Sequence, residues 1–392
     1  MKAAAPKKGS PIASLRVRDL EAHSRRGAPP DGPEIVRLDS GDPDLMTPLP
    51  IREAMNAALE AGFVHYAHPQ GDPDLREALS ELVSRFARQA YGVDQIVVTH
   101  GATGGLAAAI LGLVDPGETV VIPEPTYSLY TDLVQLAGGR IKYVPTSAPE
   151  FELDLDRLAS ALPGAKLLIL CNPCNPTGAV YSEAILRAAA ELAQRHGVYV
   201  LADEAYSQIV YDGRSHTSVL ELDLHDRAVY VQSFSKTYAM TGWRIGYVAA
   251  DRDLAAAFTR IHRTLNGPVN SAVQRAALAA LNLDGTWTTK MLGAYARRRD
   301  LVVEGLTGSA ATFSPPPGTF YAFVKHPAGL TSIEMAALCA RHGVAVRPGS
   351  EYGPSGEGHI RLAFSASPDD IVEGVDRLHG ALREAATSSS RT

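Results

Sequence analysis

At 392 residues the chain exceeds what one hydrophobic core usually serves, which predicts a large domain with a smaller companion. A formal charge of −6, with 20% charged and 45% hydrophobic residues, is ordinary for a soluble globular protein and gives nucleic acid no basic footprint. The N-terminal MKAAAPKKGSP lacks the apolar stretch of a secretory signal, and runs such as LAAAILGLV (106–114) are far too short to span a bilayer, so a cytoplasmic protein with no membrane partner is expected.

Three cysteines, Cys171, Cys174 and Cys339, are too few for a disulfide framework. Two of them form a C-x-x-C. No second cysteine or histidine cluster at ligand spacing accompanies it, so no metal is expected.

In chain order, the first strand candidate is QIVVT (95–99), followed by HGATGG, whose glycines let the backbone turn tightly into a helix beginning near Ala102 and aim amide N–H groups at an anion. TVVIP (119–123) follows, then EPTYSLY, which places Tyr127 on a loop above the sheet. KLLIL (166–170) leads into CNPCNPTG, where prolines stiffen a loop carrying Asn172 and Asn175. SEAILRAAAELAQRHG reads as a helix with serine at its cap and glycine at its end. VYVLA (198–202) ends on Asp203 and Glu204, and AVYVQ (228–232) ends on SFSK.

Each of these strands is continuously apolar or β-branched, as a strand covered on both faces should be, and strand–helix alternation predicts an α/β domain with a mostly parallel sheet. From about residue 290 a long helical pattern, an extended GTFYAFV, a helix in TSIEMAALCARHG and IRLAFS predict a smaller α+β lobe. The expected division is an N-terminal arm with part of the small domain (1–45), a large domain (46–285), the C-terminal small domain (286–385) and a disordered tail (386–392).

Open parallel sheets bind ligands beyond the carboxyl ends of their strands, and five features converge there. A buried carboxylate and a buried lysine are both costly unless something meets or removes their charge. Together with anion-binding amides, an aromatic plate and amide and phenol hydrogen bonders, they describe a site for a flat, phosphorylated ring joined to a lysine, namely pyridoxal phosphate.

The ordered series LDSGDPD, HYAHPQGDPDLREAL, VTHGATGG, PEPTYSLY, CNPCNPTG, LADEAYS, SFSKTYAMTGWRIGY, PPGTFY, VAVRPGSEYG and HIRLAFS resembles the class I and II aminotransferases, the fold-type I enzymes that depend on pyridoxal 5′-phosphate. The resemblance runs from about Leu38 to about Arg383 and implies a large domain, with its mixed but mostly parallel sheet sandwiched by helices, plus the smaller α+β domain. It implies that Lys236 is the lysine joined to the cofactor, that Asp203 partners the ring nitrogen, and that Asn175 and Tyr206 bond the ring hydroxyl oxygen. Tyr127 would stack on the ring; Gly101, Ala102, Thr103, Ser233, Ser235 and Arg244 would hold the phosphate. Tyr66 is similar to the tyrosine that reaches the neighbouring subunit's phosphate, which implies a homodimer with shared sites. Arg361, helped by Gly41 and Asn175, resembles the clamp for the substrate α-carboxylate.

The implied reaction moves an amino group from an L-amino acid to a 2-oxo acid by a ping-pong route. β-Elimination, decarboxylation or oxidation on the same scaffold is the alternative. Thr103 stands where many dicarboxylate-using relatives have lysine, and TLNGPVN (264–270) departs from the Ser/Thr-rich stretch often found there; both count against an aspartate substrate. His65, His68 and Asp42 border the expected substrate entrance.

Overall fold

The computed structural model describes residues 35–389 together with Ser14, Arg16, Val17 and Leu20. The expected disorder of residues 1–10, and most of the expected N-terminal arm, lie outside the described residues.

The chain begins with β1 (Val36–Arg37) and two helices, α1 (Leu49–Glu60) and α2 (Pro73–Ser84). An alternating series follows: β2 (Ile96–Thr99), α3 (Gly101–Leu113), β3 (Thr119–Glu124), α4 (Leu129–Ala137), β4 (Arg140–Pro145), α5 (Leu155–Ala161), β5 (Ala165–Cys171), α6 (Glu183–Arg195) and β6 (Tyr199–Asp203). Next come β7 (Ala228–Ser233), the single turn α7 (Phe234–Thr237), β8 (Gly246–Ala249), α8 (Arg252–Asn266), α9 (Ser271–Leu281) and the long α10 (Gly285–Leu306). The last part holds β9 (Tyr321–Lys325), α11 (Ser332–Arg341), β10 (Val344–Ala345), β11 (Arg347–Pro348), β12 (His359–Ala363) and α12 (Pro368–Ser389).

Seven strands form one sheet in the order β2-β8-β7-β6-β5-β3-β4. All pairings are parallel except those of β8, which runs antiparallel to both β2 and β7. The fold is therefore α/β with a mixed, mostly parallel sheet. The strands β5, β6 and β7 are almost wholly buried, because helices cover both faces, and that is why their sequences are unbroken apolar runs. Helix ends follow their caps: the Ser182 hydroxyl accepts from the Ile185 N–H at the start of α6, and Thr331 with Glu334 forms a reciprocal capping box on α11.

A second buried cluster joins Leu38 and Tyr206 to Tyr295, Phe320, Leu362, Phe364 and Leu378. It packs around the three-stranded sheet β11-β12-β9 and draws in the N-terminal segment through β1, which pairs in parallel with β10.

Two strands of the seven-stranded sheet escaped the sequence reading: β4, an edge strand with alternating burial, and β8, only four residues long; so did the two-residue strands β1, β10 and β11. The C-terminal tail also differs from expectation. Helix α12 continues to Ser389, so residues 386–389 are helical where an irregular tail was expected; 390–392 lie outside the described residues. The apolar spacing Ile371, Val375, Leu378, Leu382, Ala385 anchors this helix, and no glycine or proline follows to stop it.

Candidate active site

Because β5, β6 and β7 run parallel in register, Cys171, Asp203 and Ser233 finish at the same edge of the sheet. Helix α3 points its N-terminus at that edge, starting at Gly101, whose φ of +67° belongs to the left-handed region that glycine enters without strain. A cavity of about 450 Å³ opens there. Among its walls are Gly41, Ala102, Thr103, Tyr127, Asn175, Asp203, Tyr206, Ser233, Ser235, Lys236, Arg244 and Arg361, which the sequence had singled out from segments up to 320 residues apart.

At one end of the cavity, β7 and β8 pair Ser233 with Gly246, so the excursion between them returns Arg244 beside α3. A Cβ built on Gly101 would come within 3.0 Å of the Arg244 guanidinium. Arg244 itself holds φ +53°, a left-handed conformation that is costly for a residue with a side chain, and its Nη1 donates to the Thr241 carbonyl at 2.8 Å. Guanidinium, α3 amides and the two serine hydroxyls make a pocket for an oxyanion. The Ser233 hydroxyl also accepts from the Ser235 N–H at 3.1 Å, which fixes the turn carrying both.

Lys236 leaves this turn into the buried floor. Burial, then the Arg361 and Arg244 charges, lower its amine to about 8, partly opposed by Asp42. Its Nζ donates to the Gly41 carbonyl at 2.7 Å. Asp203 is fully enclosed; burial raises its pKa, while the Tyr130 hydroxyl, donating to Oδ2 at 2.8 Å, and the Ala205 N–H, donating to Oδ1 at 3.2 Å, pull the other way. Among the described residues no cation forms an ion pair with it.

At the far wall, Arg361 lies across the Tyr321 ring, 4.2 Å from its centroid, and is fully buried. Its Nη1 donates to Asn175 Oδ1 at 3.1 Å and its Nη2 to the Asp39 carbonyl at 2.7 Å, while Nε has no hydrogen-bond partner among the described residues. The Tyr206 and Tyr321 hydroxyls share a 2.8 Å hydrogen bond.

Two expected site residues stand apart. Gly101 lies behind the wall rather than on it, and Tyr66 is 94% exposed, away from the cavity of its own chain. His65 and His68 are likewise exposed, whereas Asp42 lines the cavity and accepts from the Thr241 hydroxyl. The sequence reading missed Tyr130, Tyr321, Arg347, Glu351 and Tyr352, all on the cavity wall. Each lies inside a stretch already recognised (PEPTYSLY, PPGTFY, VAVRPGSEYG), so position within those motifs was the available signal.

The donor set fits pyridoxal phosphate. A buried carboxylate without a cationic partner suits a protonated ring nitrogen, the oxyanion pocket suits the phosphate, and an amine held at about 8 suits reaction with an aldehyde. The unpartnered Nε of Arg361 suits a carboxylate beyond the ring.

Comparison with known proteins leads to the same chemistry. An aspartate aminotransferase of Pyrococcus abyssi is 36% identical over 360 residues, covering 90% of this chain and 92% of that protein. Arginine–pyruvate transaminase AruH of Pseudomonas aeruginosa is 35% identical over 353 residues, covering 88% and 90%. The solved structure of aspartate aminotransferase from Thermus thermophilus with maleate superimposes with a TM-score of 0.85 at 33% identity, covering 89% of this chain and 92% of that one. The family model described as aminotransferase class I and II matches residues 33–378, and the chain belongs to this family of pyridoxal phosphate-dependent enzymes, which move amino groups between amino acids and 2-oxo acids.

Proposed function

We propose that Lys236 is the residue that bonds the cofactor and moves the substrate proton, with Asp203 and Tyr206 tuning the ring it acts upon. The observation that carries this reading is the convergence of the buried Lys236 amine, the Asp203 carboxylate and the Arg244 and Arg361 guanidinium groups on one cavity. When bound, pyridoxal phosphate supplies an aldehyde and an electron-accepting ring on which the amino group is carried from one substrate to the next.

The chain's own groups divide the remaining work. Arg244, Ser233, Ser235 and the start of α3 at Ala102 and Thr103, turned by Gly101 behind them, would hold the phosphate, and Tyr127 would cover the ring. The Asp203 carboxylate, steadied by Tyr130, keeps a proton on the ring nitrogen, because the buried anion favours a cation beside it. Tyr206 and Asn175 donate toward the ring hydroxyl oxygen. Arg361 fixes the substrate α-carboxylate, its guanidinium already oriented by Asn175 and the Asp39 carbonyl. The free Lys236 amine would take the proton from the substrate Cα, hold it and give it back; an amine lowered to about 8 suits both directions.

A homodimer of cytoplasmic chains completes this reading. Exposed Tyr66 closes a stretch, 46–66, that also exposes Met46, Leu49, Leu59 and Val64, apolar side chains that a second copy would cover while placing Tyr66 at its neighbour's phosphate. Among the described residues no helix is long and apolar enough to cross a membrane. The relatives are aminotransferases, so elimination, decarboxylation and oxidation find no support among them.

Borohydride reduction of the loaded enzyme followed by peptide mapping tests the assignment: the cofactor mass is expected on Lys236, and Lys236→Ala is expected to lose both the visible absorbance of the lysine-bound cofactor and steady-state transamination. A tag on another lysine, or sustained turnover by the variant, contradicts it.

A further inference from the structure

Behind the oxyanion pocket two imidazoles meet. His100 is the last residue before α3, and His262 reaches it from α8 with its side chain fully buried. The rings stack at 5.1 Å. His262 Nε2 is 3.2 Å from the His100 backbone nitrogen and 3.0 Å from His100 Nδ1. His262 Nδ1 is buried with no hydrogen-bond partner among the described residues.

These distances fix both protonation states. A backbone N–H can only donate, so His262 Nε2 must present its lone pair, and the ring's proton then resides on Nδ1. His100 Nδ1, facing the same lone pair, must carry hydrogen as well. A single acceptor thus receives two donors from one residue, one from its main chain and one from its ring. Having no partner at Nδ1, His262 is placed for what it accepts.

The residue gripped in this way directs α3. The His100 carbonyl accepts from the Gly104 N–H at 3.3 Å, and the next residue is Gly101 at φ +67° against the Arg244 guanidinium. We propose that His262 is a positioning residue for the cofactor phosphate: as a neutral acceptor it fixes the His100 main chain and thereby the amides of Gly101–Thr103. This rests on the reading that those amides hold the phosphate.

Protonation of His262 at Nε2 would turn the acceptor into a third donor and release the turn. Protonation of His100 at Nε2 would leave its Nδ1–H in place, so the sensitive member is His262. The groups that bear on the pair are each other and Arg244; burial, then His100, lower His262 to about 4, and burial, then Arg244, lower His100. The acceptor form of His262 therefore persists throughout the neutral range.

The test uses full-length chain stripped of cofactor and titrated with pyridoxal phosphate. His262→Ala is expected to raise the cofactor Kd by about tenfold or more, the scale of one lost hydrogen bond to a rigid acceptor. His262→Gln, whose side-chain oxygen can take the Nε2 position, should restore it to within a few-fold of wild type. Equal weakening in both variants would mean that only ring volume matters, and unchanged Kd in both that the pair does not position the turn; either overturns the proposal. Nitrogen-15 NMR of the unsubstituted chain reads the tautomers directly, whatever the variants do: a proton on His262 Nε2 contradicts it. Failure of wild-type chain to bind pyridoxal phosphate at all would instead sink the reading of the site.

Discussion

Asp203 is anchored by one tyrosine that the sequence did not single out. Tyr130 lies three residues beyond Tyr127, in the first turn of α4, and its ring meets the Tyr127 ring edge-on at 5.6 Å, so neighbouring residues supply the proposed ring cover and the carboxylate's partner. Hydrogen bonds to charged groups contribute about 1.5–3 kcal/mol, so Tyr130→Phe is expected to lower kcat/KM roughly ten- to a hundredfold with the fold intact by circular dichroism. Asp203→Asn should cost more, since it removes the charge as well, and a Tyr130→Phe change made on top of it should add little. Additive losses in that double-mutant cycle would separate the two residues. What the sequence allowed at this scale was chemical type at strand ends. What it withheld were pairings such as Tyr206 with Tyr321, or Arg361 across the Tyr321 ring, because they join residues that only tertiary packing brings together.

At the level of elements, the β7–α7–β8 excursion is pinned at both ends by the antiparallel ladder, Ser233 opposite Gly246. Lys236 and Arg244 lie between those pins, which fixes the spacing of amine and guanidinium. Gly246 marks how tightly the excursion closes: an added Cβ would fall 2.6 Å from the Gln232 carbonyl, 2.8 Å from the Gly101 carbonyl carbon and 2.9 Å from the Ala102 nitrogen, all backbone atoms. Gly246→Ala is therefore expected to destabilise by about 1–3 kcal/mol and to weaken cofactor binding together with Tm, both measurable by thermal melts with and without cofactor. An unchanged melt would show that α3 can slide without cost. The strands flanking this excursion also show where pattern reading stops. Strands β3, β5, β6 and β7 announce themselves as unbroken apolar runs; β8 is four residues inside a motif read for its arginine, and edge strand β4 alternates in a way that a short amphipathic loop would share.

Across the whole molecule, buried titratable groups set how stability responds to pH. Burial lowers both His216 and His262 to about 4, so their neutral forms favour the folded state; the contribution is complete above an ordinary histidine pKa of about 6.5 and is lost as pH falls toward 4. Glu204 acts oppositely: burial raises it to about 8 despite the Val219 N–H and Ser218 hydroxyl donating to it, so folding binds a proton there and stability falls as pH rises from about 4.5 to 8. His216 Nε2 also lies 3.5 Å from Glu204 Oε2, so those two respond together, and His216→Gln is expected to flatten the acid-side loss in a Tm-against-pH series. Assembly is the second molecular prediction: sedimentation should give twice the 41.7 kDa chain mass, and charge introduced at Val64 should shift it toward the monomer with loss of activity. The bond from the Lys236 amine to the Gly41 carbonyl has a mechanical side. Gly41 belongs to the N-terminal stretch whose Ser40 carbonyl accepts from Ser365, beside Phe364 of the second core, so the Lys236–Gly41 bond is one of several ties between the two cores, with Thr47 to the Ala239 carbonyl and Arg361 to Asn175. A ligand that takes up the Lys236 amine is expected to loosen that one tie, and hydrogen exchange around residues 38–44, compared with and without cofactor, checks it.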